Sequence, residues 1–374
     1  GAPQTMPQDG LFGDHVHFST TIEAPAEGEE DSHLVETMQA ALTAAMRDGS
    51  GPVHINVRFR KPLWAPGGAE LPLHQPAPIP QTERAPEDAD IARLIDAAQG
   101  QRGVILLGPD PSARHAPDTV RRLAAVLGWP VLTDPITLAR FGQHGPFIRH
   151  QDVLLRSAHF RAQAQPSLVI AVGGTPSSAP VQKLLANTPT IAIHARRRHW
   201  DPFQKLSWTL DADLPPTVTA LETAALTPTP PDWTQLWLRA DALAAAAITT
   251  FCADGLWEGS IAHHLVSSLP AGALLRVASS TPIRDVDSFA VDGGHPMTVS
   301  SNRGVNGIDG TIATTLGEAW VHAGPVALLS GDLSFLHDLG ALSNVPRPAQ
   351  AVVITVVDNG GGGIFGFLPI KDHP

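Results

Sequence analysis

Asp332 and Asn359 are the residues whose type and placement point most directly to chemistry, because each stands where an apolar run stops abruptly. Val326-Ala327-Leu328-Leu329-Ser330 gives way to Gly331-Asp332-Leu333-Ser334, and Ala351-Val352-Val353-Ile354-Thr355-Val356-Val357 gives way to Asp358-Asn359-Gly360-Gly361-Gly362-Gly363. A carboxylate, an amide oxygen and the carbonyls of a glycine-rich backbone make a hard oxygen site. Such a site suits Mg²⁺, which takes one or two protein carboxylates and completes its shell with phosphate and water. The glycines also let backbone approach a diphosphate closely. Leu333-Ser334 is expected to open a helix, whose unpaired N–H groups and positive end favour the same ligand. By itself Gly331-Asp332 would be no more than a helix cap. Paired with Asn359 and four glycines, it predicts a metal diphosphate site.

The elements that must hold these residues follow from the flanking text. Both apolar runs are short, aliphatic or β-branched, and bounded by Gly and Pro, so they are expected as buried parallel strands. Residues 334–342 supply the crossover helix. A right-handed crossover brings both carboxyl ends to one sheet edge, where ligands of open α/β sheets sit, so Asp332 and Asn359 are expected to face one another. Upstream, strands at 104–107, 130–133, 168–172 and 191–194 alternate with helices at 86–98, 118–127 and 181–185. That alternation predicts a doubly wound domain. Its strand ends, Gly108-Pro109-Asp110 and Gly173-Gly174-Thr175, lack Gly-x-Gly-x-x-Gly, which favours a structural domain over a dinucleotide site. Residues 61–86 contain seven prolines and are expected as an extended linker. A second proline-rich link is expected at 214–231, followed by helices at 233–251 and 260–268, a strand at 273–278 and a helix at 311–321.

Three stretches carry a resemblance to a known family. They are Ser301-Asn302-Arg303-Gly304 with Gly307-Ile308-Asp309-Gly310; Gly331-Asp332-Leu333-Ser334-Phe335-Leu336-His337-Asp338-Leu339; and Gly361-Gly362-Gly363-Ile364-Phe365 with Leu368-Pro369. Asn359 follows Asp332 by 27 positions. The pattern is similar to the Gly-Asp-Gly…Asn-Asn signature of thiamin diphosphate enzymes, and the flanking text closely resembles the 2-succinyl-5-enolpyruvyl-6-hydroxy-3-cyclohexene-1-carboxylate synthases of menaquinone biosynthesis.

The resemblance implies a fold class: α/β, the thiamin diphosphate-binding fold of doubly wound parallel sheets in consecutive domains. Residues 1–64 would be the C-terminal part of a pyrimidine-binding domain, 65–86 a linker, 87–213 a central Rossmann-like domain, 214–231 a linker and 232–374 an incomplete diphosphate-binding domain. Both ends look truncated against the family, and the glutamate that activates the cofactor would lie upstream of Gly1. The implied cofactors are thiamin diphosphate with Mg²⁺ or Mn²⁺, held by Asp332, Asn359 and the Gly361 carbonyl. Gly331, Leu333, Ser334 and Gly362 would bind the cofactor. Ile308 would be the apolar wedge beneath it, although by itself it reads as one more core isoleucine. Gln4, in Gly1-Ala2-Pro3-Gln4, would be a catalytic-pocket residue; Pro3 departs from the family's Gly-Ala-Asn-Gln and lacks a donor. Asp358 stands where the family often has asparagine.

The implied substrates, 2-oxoglutarate and isochorismate, are dicarboxylates, and guanidinium forks match carboxylates. Arg284 and Arg303, expected in loops after strands, with the Ser280 hydroxyl, would bind them. Ile364, Phe365 and Leu368, core residues by periodicity, would wall a water-poor pocket. The basic residue usual in the central domain is replaced by Ser178-Ala179-Pro180. A homodimer or homotetramer is implied. Two alternatives stay open: another thiamin diphosphate carboligase or decarboxylase of 2-oxo acids, and a non-catalytic fragment or paralogue.

Composition narrows the partners. A net charge of −11 over 374 residues argues against nucleic acid and anionic membrane surfaces. One cysteine, Cys252, excludes an internal disulfide framework and suits the cytoplasm. No apolar run approaches the roughly 20 residues that span a bilayer. His15, His17, His263 and His264 have no cysteine partner and no His-Glu-x-x-His context, which disfavours zinc.

Overall fold

The computed structural model of the chain describes residues 6–24, 32–46, 51–61, 83–110, 116–194, 201–224, 226–344, 350–367 and 371. The chain divides into a small unit within Gly1–Arg84 and a large one formed by Ala85–His194 and Trp200–Pro374. Among the described residues no helix is long and apolar enough to cross a membrane.

The small unit is one βαβ motif. Strands β1 (Phe18–Ile22) and β2 (Val53–Val57) pair in parallel, with Phe18 beside Val53 and Ile22 beside Val57, and helix α1 (Ser32–Met46) connects them. Leu34, Val35, Met38, Leu42 and Met46 leave an apolar stripe of α1 exposed.

The large unit begins with a six-stranded parallel sheet. Its elements are α2 (Asp88–Ala98), β3 (Val104–Leu107), α3 (Pro117–Leu127), β4 (Val131–Thr133), β5 (Phe147–Ile148), α4 (Gln151–Leu154), α5 (Ala158–Gln163), β6 (Val169–Val172), α6 (Ala179–Ala186), β7 (Thr190–Ile193), β8 (Leu206–Leu210) and α7 (Leu214–Thr223). Every residue of β3, β4, β6 and β7 is buried, as helices on both faces require. In α3, Val120, Leu123, Ala124 and Leu127 recur at helical spacing and are all buried. Burial of a leucine or valine side chain contributes about 1.5–3 kcal/mol. The sheet order β5-β4-β3-β6-β7-β8 is the dinucleotide-binding order, with its switch point between β3 and β6. At that point the two strand-end turns close on each other. The Gly174 amide donates to the Pro109 carbonyl at 2.9 Å, and a Cβ on Gly108 would lie 1.9 Å from the Gly174 carbonyl oxygen. Glycine there is explained by backbone meeting backbone.

Helices α8 (Pro231–Cys252) and α9 (Glu258–Ser268) lead to the second sheet. It is built from β9 (Leu274–Val277), α10 (Thr281–Phe289), β10 (Thr298–Ser300), α11 (Thr311–Val321), β11 (Val326–Gly331), α12 (Asp332–His337), α13 (Ala341–Asn344) and β12 (Val352–Val357). The strands run parallel in the order β10-β9-β11-β12. Ile136 and Phe141, which follow β4, belong to the core of this second sheet together with Val277, Ile283 and Leu329.

Several expectations are corrected. The stretch expected as a second linker contains α7, in which Pro215 and Pro216 occupy the first turn, where a missing N–H costs nothing. The segment after β9 is the helix α10, so Arg284 lies on a helix and not in a loop. The single crossover helix is two short ones, α12 and α13, with Gly340 between them. Strand β8 pairs with β7 at the edge of the first sheet; its alternating burial makes it a weaker signal than a continuous apolar run.

Candidate cofactor and substrate site

The register Gly331 beside Val357 ends β11 and β12 at the same level, so Asp332 and Asp358 leave the sheet together at one edge. Between β12 and the short turn at Gly363–Phe367 the backbone passes through three consecutive left-handed residues: Gly360 at φ +83°, Gly361 at +102° and Gly362 at +70°. Only glycine adopts this run without strain.

The turn folds back onto both expected ligands. Asp332 accepts from the Gly362 amide at 3.1 Å through Oδ2 and from its neighbour Leu333 at 2.8 Å through Oδ1. Asn359 Oδ1 accepts from the Gly363 amide at 2.8 Å. Two successive amides therefore hold the carboxylate of one strand end and the amide oxygen of the other, and each oxygen keeps a free lone pair. Asp358 Oδ1 accepts from the Gly360 amide at 2.9 Å, so its charge is spent on closing the turn. A carboxylate, an amide oxygen and the exposed Gly361 backbone form an all-oxygen donor set, which fits a hard cation with a diphosphate.

Helix α12 begins at Asp332 and has six residues, with Leu333 exposed and Ser334 buried. So short a helix adds little dipole; its first amides are what it offers. Ile308 is half-buried in the loop before α11 and stands outside the hydrophobic clusters, so the core reading of this residue is overturned. Its carbonyl accepts from the Thr311 hydroxyl at 3.2 Å, and Asp338 at the end of α12 accepts from the Ala313 amide at 2.8 Å. These bonds tie the Ile308 loop to the element that carries Asp332.

The expected polar substrate residues, Ser280, Arg284 and Arg303, follow β9 and β10. Ser280 caps α10 with φ +81° and ψ −132°, a conformation costing a non-glycine residue about 1–3 kcal/mol and characteristic of ligand sites. Arg284 is exposed on α10, and Arg303 is half-buried in the loop after β10. Burial pushes the Arg303 guanidinium down from its ordinary value; Asp134 opposes this and Arg284 reinforces it. Arg303 thus feels the like charge of Arg284 and the opposite charge of Asp134. Asn302 fixes the Arg303 loop: its side chain accepts from Arg276, and its carbonyl accepts from the Ser279 hydroxyl at 3.1 Å. Arg276 is itself buried and paired with Glu318 at 3.0 Å.

The inner face of α10 is locked to the first sheet. Arg140, fully buried, donates to the Asp287 carbonyl at 2.7 Å and pairs with its carboxylate at 3.3 Å. Asp152 accepts from Ser288 at 2.8 Å and from Ser178 at 2.7 Å. Ser178 also caps α6, so the first residue of the Ser178-Ala179-Pro180 stretch has a positioning task.

Gln4 and Leu368 lie outside the described residues. Ile364 is half-buried and Phe365 is 55% exposed, so the expectation that both are core residues fails. Residues that sequence reasoning missed are Asp134, Glu258 and Asp285. Asn359 Nδ2 donates to Glu258 Oε1 at 2.7 Å. Burial, reinforced by Glu258 and opposed by Arg284, pushes the Asp285 carboxyl up to about 7. Asp134 follows a strand end, a signal that was available; Glu258 and Asp285 sit on helices with no pattern to mark them. His263 and His264 use their rings on the backbone carbonyls of Phe289 at 3.0 Å and Cys252 at 3.2 Å.

Residues 73–277 match a protein family described as "Middle domain of thiamine pyrophosphate". The whole chain is similar to proteins named 2-succinyl-5-enolpyruvyl-6-hydroxy-3-cyclohexene-1-carboxylate synthase. The one from Rubrobacter xylanophilus is 35% identical over 390 residues, covering 100% of the chain and 67% of that protein. Those from Salinibacter ruber and Haloarcula marismortui are 34% and 32% identical, again over 100% of the chain and over 66% and 68% of their own lengths. The chain thus spans about two thirds of the length of these relatives.

Proposed function

Because the chain belongs to the 2-succinyl-5-enolpyruvyl-6-hydroxy-3-cyclohexene-1-carboxylate synthase family of thiamin diphosphate enzymes, we propose that it contributes the diphosphate side and the substrate arginines of that activity. The reaction is loss of CO₂ from 2-oxoglutarate and addition of the four-carbon remainder to isochorismate, a step of menaquinone biosynthesis. The observation that carries the reading is the joint hold of Gly362 and Gly363 on Asp332 and Asn359.

Asp332, Asn359 and the Gly361 carbonyl would hold Mg²⁺ or Mn²⁺, with Gly331, Leu333, Ser334 and Gly362 around the diphosphate and Ile308 beneath the rings. Thiamin diphosphate, when bound, supplies the nucleophilic carbon and the electron sink that decarboxylation of a 2-oxo acid needs. The protein's own part is orientation and charge. Arg284 and Arg303 bind substrate carboxylates, Ser280 donates a hydrogen bond, and Ile364, Phe365 and Leu368 exclude water once substrate covers them. Gln4 would complete the pocket within a homodimer or homotetramer.

Calorimetric titration of thiamin diphosphate, with and without Mg²⁺, tests the reading. Metal-dependent binding that disappears in Asp332→Ala is expected; equal binding by that variant rules the metal assignment out. In the full-length protein, turnover of 2-oxoglutarate but not pyruvate is expected, since only the former offers a second carboxylate to the arginines.

A further inference from the structure

An asparagine can present either end of its amide, for the oxygen and nitrogen are nearly the same size. As a metal ligand it works only with the oxygen inward, and the loop that carries Asn359 is a run of glycines with little stiffness of its own. Two contacts distinguish the ends: Oδ1 accepts from the Gly363 amide at 2.8 Å, and Nδ2 donates to Glu258 Oε1 at 2.7 Å. Turning the amide over would set its oxygen against the Glu258 carboxylate and its NH₂ against an N–H. Both contacts would become repulsive.

Glu258 is placed on a firm support. It is the first residue of α9, where an acidic side chain is favoured. The preceding Trp257 amide donates to Ser260 Oγ at 2.9 Å, closing the helix start, and the Trp257 ring packs edge-on against Phe251 at 5.2 Å and Phe289 at 4.8 Å. Phe289 ends α10, so the helix that presents Arg284 and the helix that presents Glu258 share one aromatic contact.

From this geometry we infer that Glu258 is a positioning residue for the metal loop: its carboxylate captures the Asn359 amide nitrogen and so turns the amide oxygen toward the cation. The inference rests on the proposed metal site. It gives Glu258 a task that only an acceptor at this position performs.

The test uses the full-length protein, with Mg²⁺ titrated at fixed thiamin diphosphate and binding followed by calorimetry. Glu258→Ala is expected to weaken Mg²⁺ binding about 10-fold or more, the usual effect of losing an outer partner of a ligand. Glu258→Gln, whose amide oxygen still accepts, is expected to stay within about 3-fold of the parent. Asn359→Asp places a carboxylate beside Glu258, so Glu258→Ala in that background is expected to improve binding instead of weakening it. Parent-like binding by Glu258→Ala, or equal damage by Ala and Gln, overturns the inference. So does a fall in the metal-free melting temperature of Glu258→Ala without the recovery in the Asn359→Asp background, which would make the role structural. Retained metal dependence in Asp332→Ala removes the metal reading itself, and the inference with it.

Discussion

The Arg284 charge adds to the burial that lowers the Arg303 guanidinium, and Asp134 offsets part of that cost. Such an arrangement attracts a dianion. A charge-assisted hydrogen bond contributes about 1.5–3 kcal/mol, so Arg303→Ala in the full-length enzyme is expected to raise the KM for 2-oxoglutarate or isochorismate roughly 10- to 150-fold. Unchanged steady-state kinetics would remove Arg303 from the site. Asp285 gives a second expectation. Its carboxyl, raised from 3.8 to about 7, binds a proton more tightly in the folded chain than in the unfolded one. Its contribution to stability is therefore full below about pH 4 and lost as pH rises through about 7. Asp285→Asn should flatten that part of the stability curve in denaturant titrations, whereas an unaltered slope would mean that the group titrates normally. The placement of Asp332 and Asn359 at one sheet edge, and of Arg303 beyond a strand end, was legible because apolar runs stop there and glycines follow. Glu258 and Asp285 gave no such signal, since a carboxylate on a helix has no local signature; only the fold brings Glu258 to Asn359 and Asp285 within reach of the Glu258 charge.

At the scale of elements, the glycine turn is the part most exposed to substitution. Gly363 is followed by no such strain as its neighbours, yet a Cβ there would lie 2.7 Å from Asn359 Nδ2. Gly363→Ala is expected to displace the amide and weaken Mg²⁺-dependent cofactor binding about 10-fold, measurable in the same titration. Helix α10 depends on a different kind of hold. Burial pushes the Asp287 carboxyl well above its ordinary value and the Arg140 charge opposes this, so removing Arg140 would drive the buried aspartate to take up a proton and would strip the Thr133 and Asp287 carbonyls of a donor. Arg140→Ala should lower the denaturation midpoint accordingly and blunt substrate affinity through Arg284. Strands β3, β4, β6, β7, β9, β11 and β12 were readable as short apolar runs, and β11 and β12 lie where the sequence places them, whereas β5 and β10, of two and three residues, and the alternately buried β8 gave no such run. Helices α7 and α10 were not readable, because prolines in a first turn look like loop text until the turns that follow are seen to be buried. The long crossover helix failed for the opposite reason: a glycine inside it divides it.

The large unit contains both sheets, with Ile136 and Phe141 of the first part built into the core of the second. The large unit is accordingly expected to unfold in one cooperative step, with tryptophan fluorescence and far-ultraviolet circular dichroism giving coincident transitions; two separated midpoints would contradict a shared core. The doubly wound character of this unit followed from alternating runs, but the seam between its sheets, made by single residues such as Arg140 and Asp152, has no sequence pattern. The turns at Gly108 and Gly173–Gly174 occupy the switch point with each other's backbone, so a side chain at either position would collide with the facing chain. Neither turn can drift alone. A nucleotide could enter this switch point only if both turns changed together, so the crevice stays shut while the sheet around it goes on supporting α10.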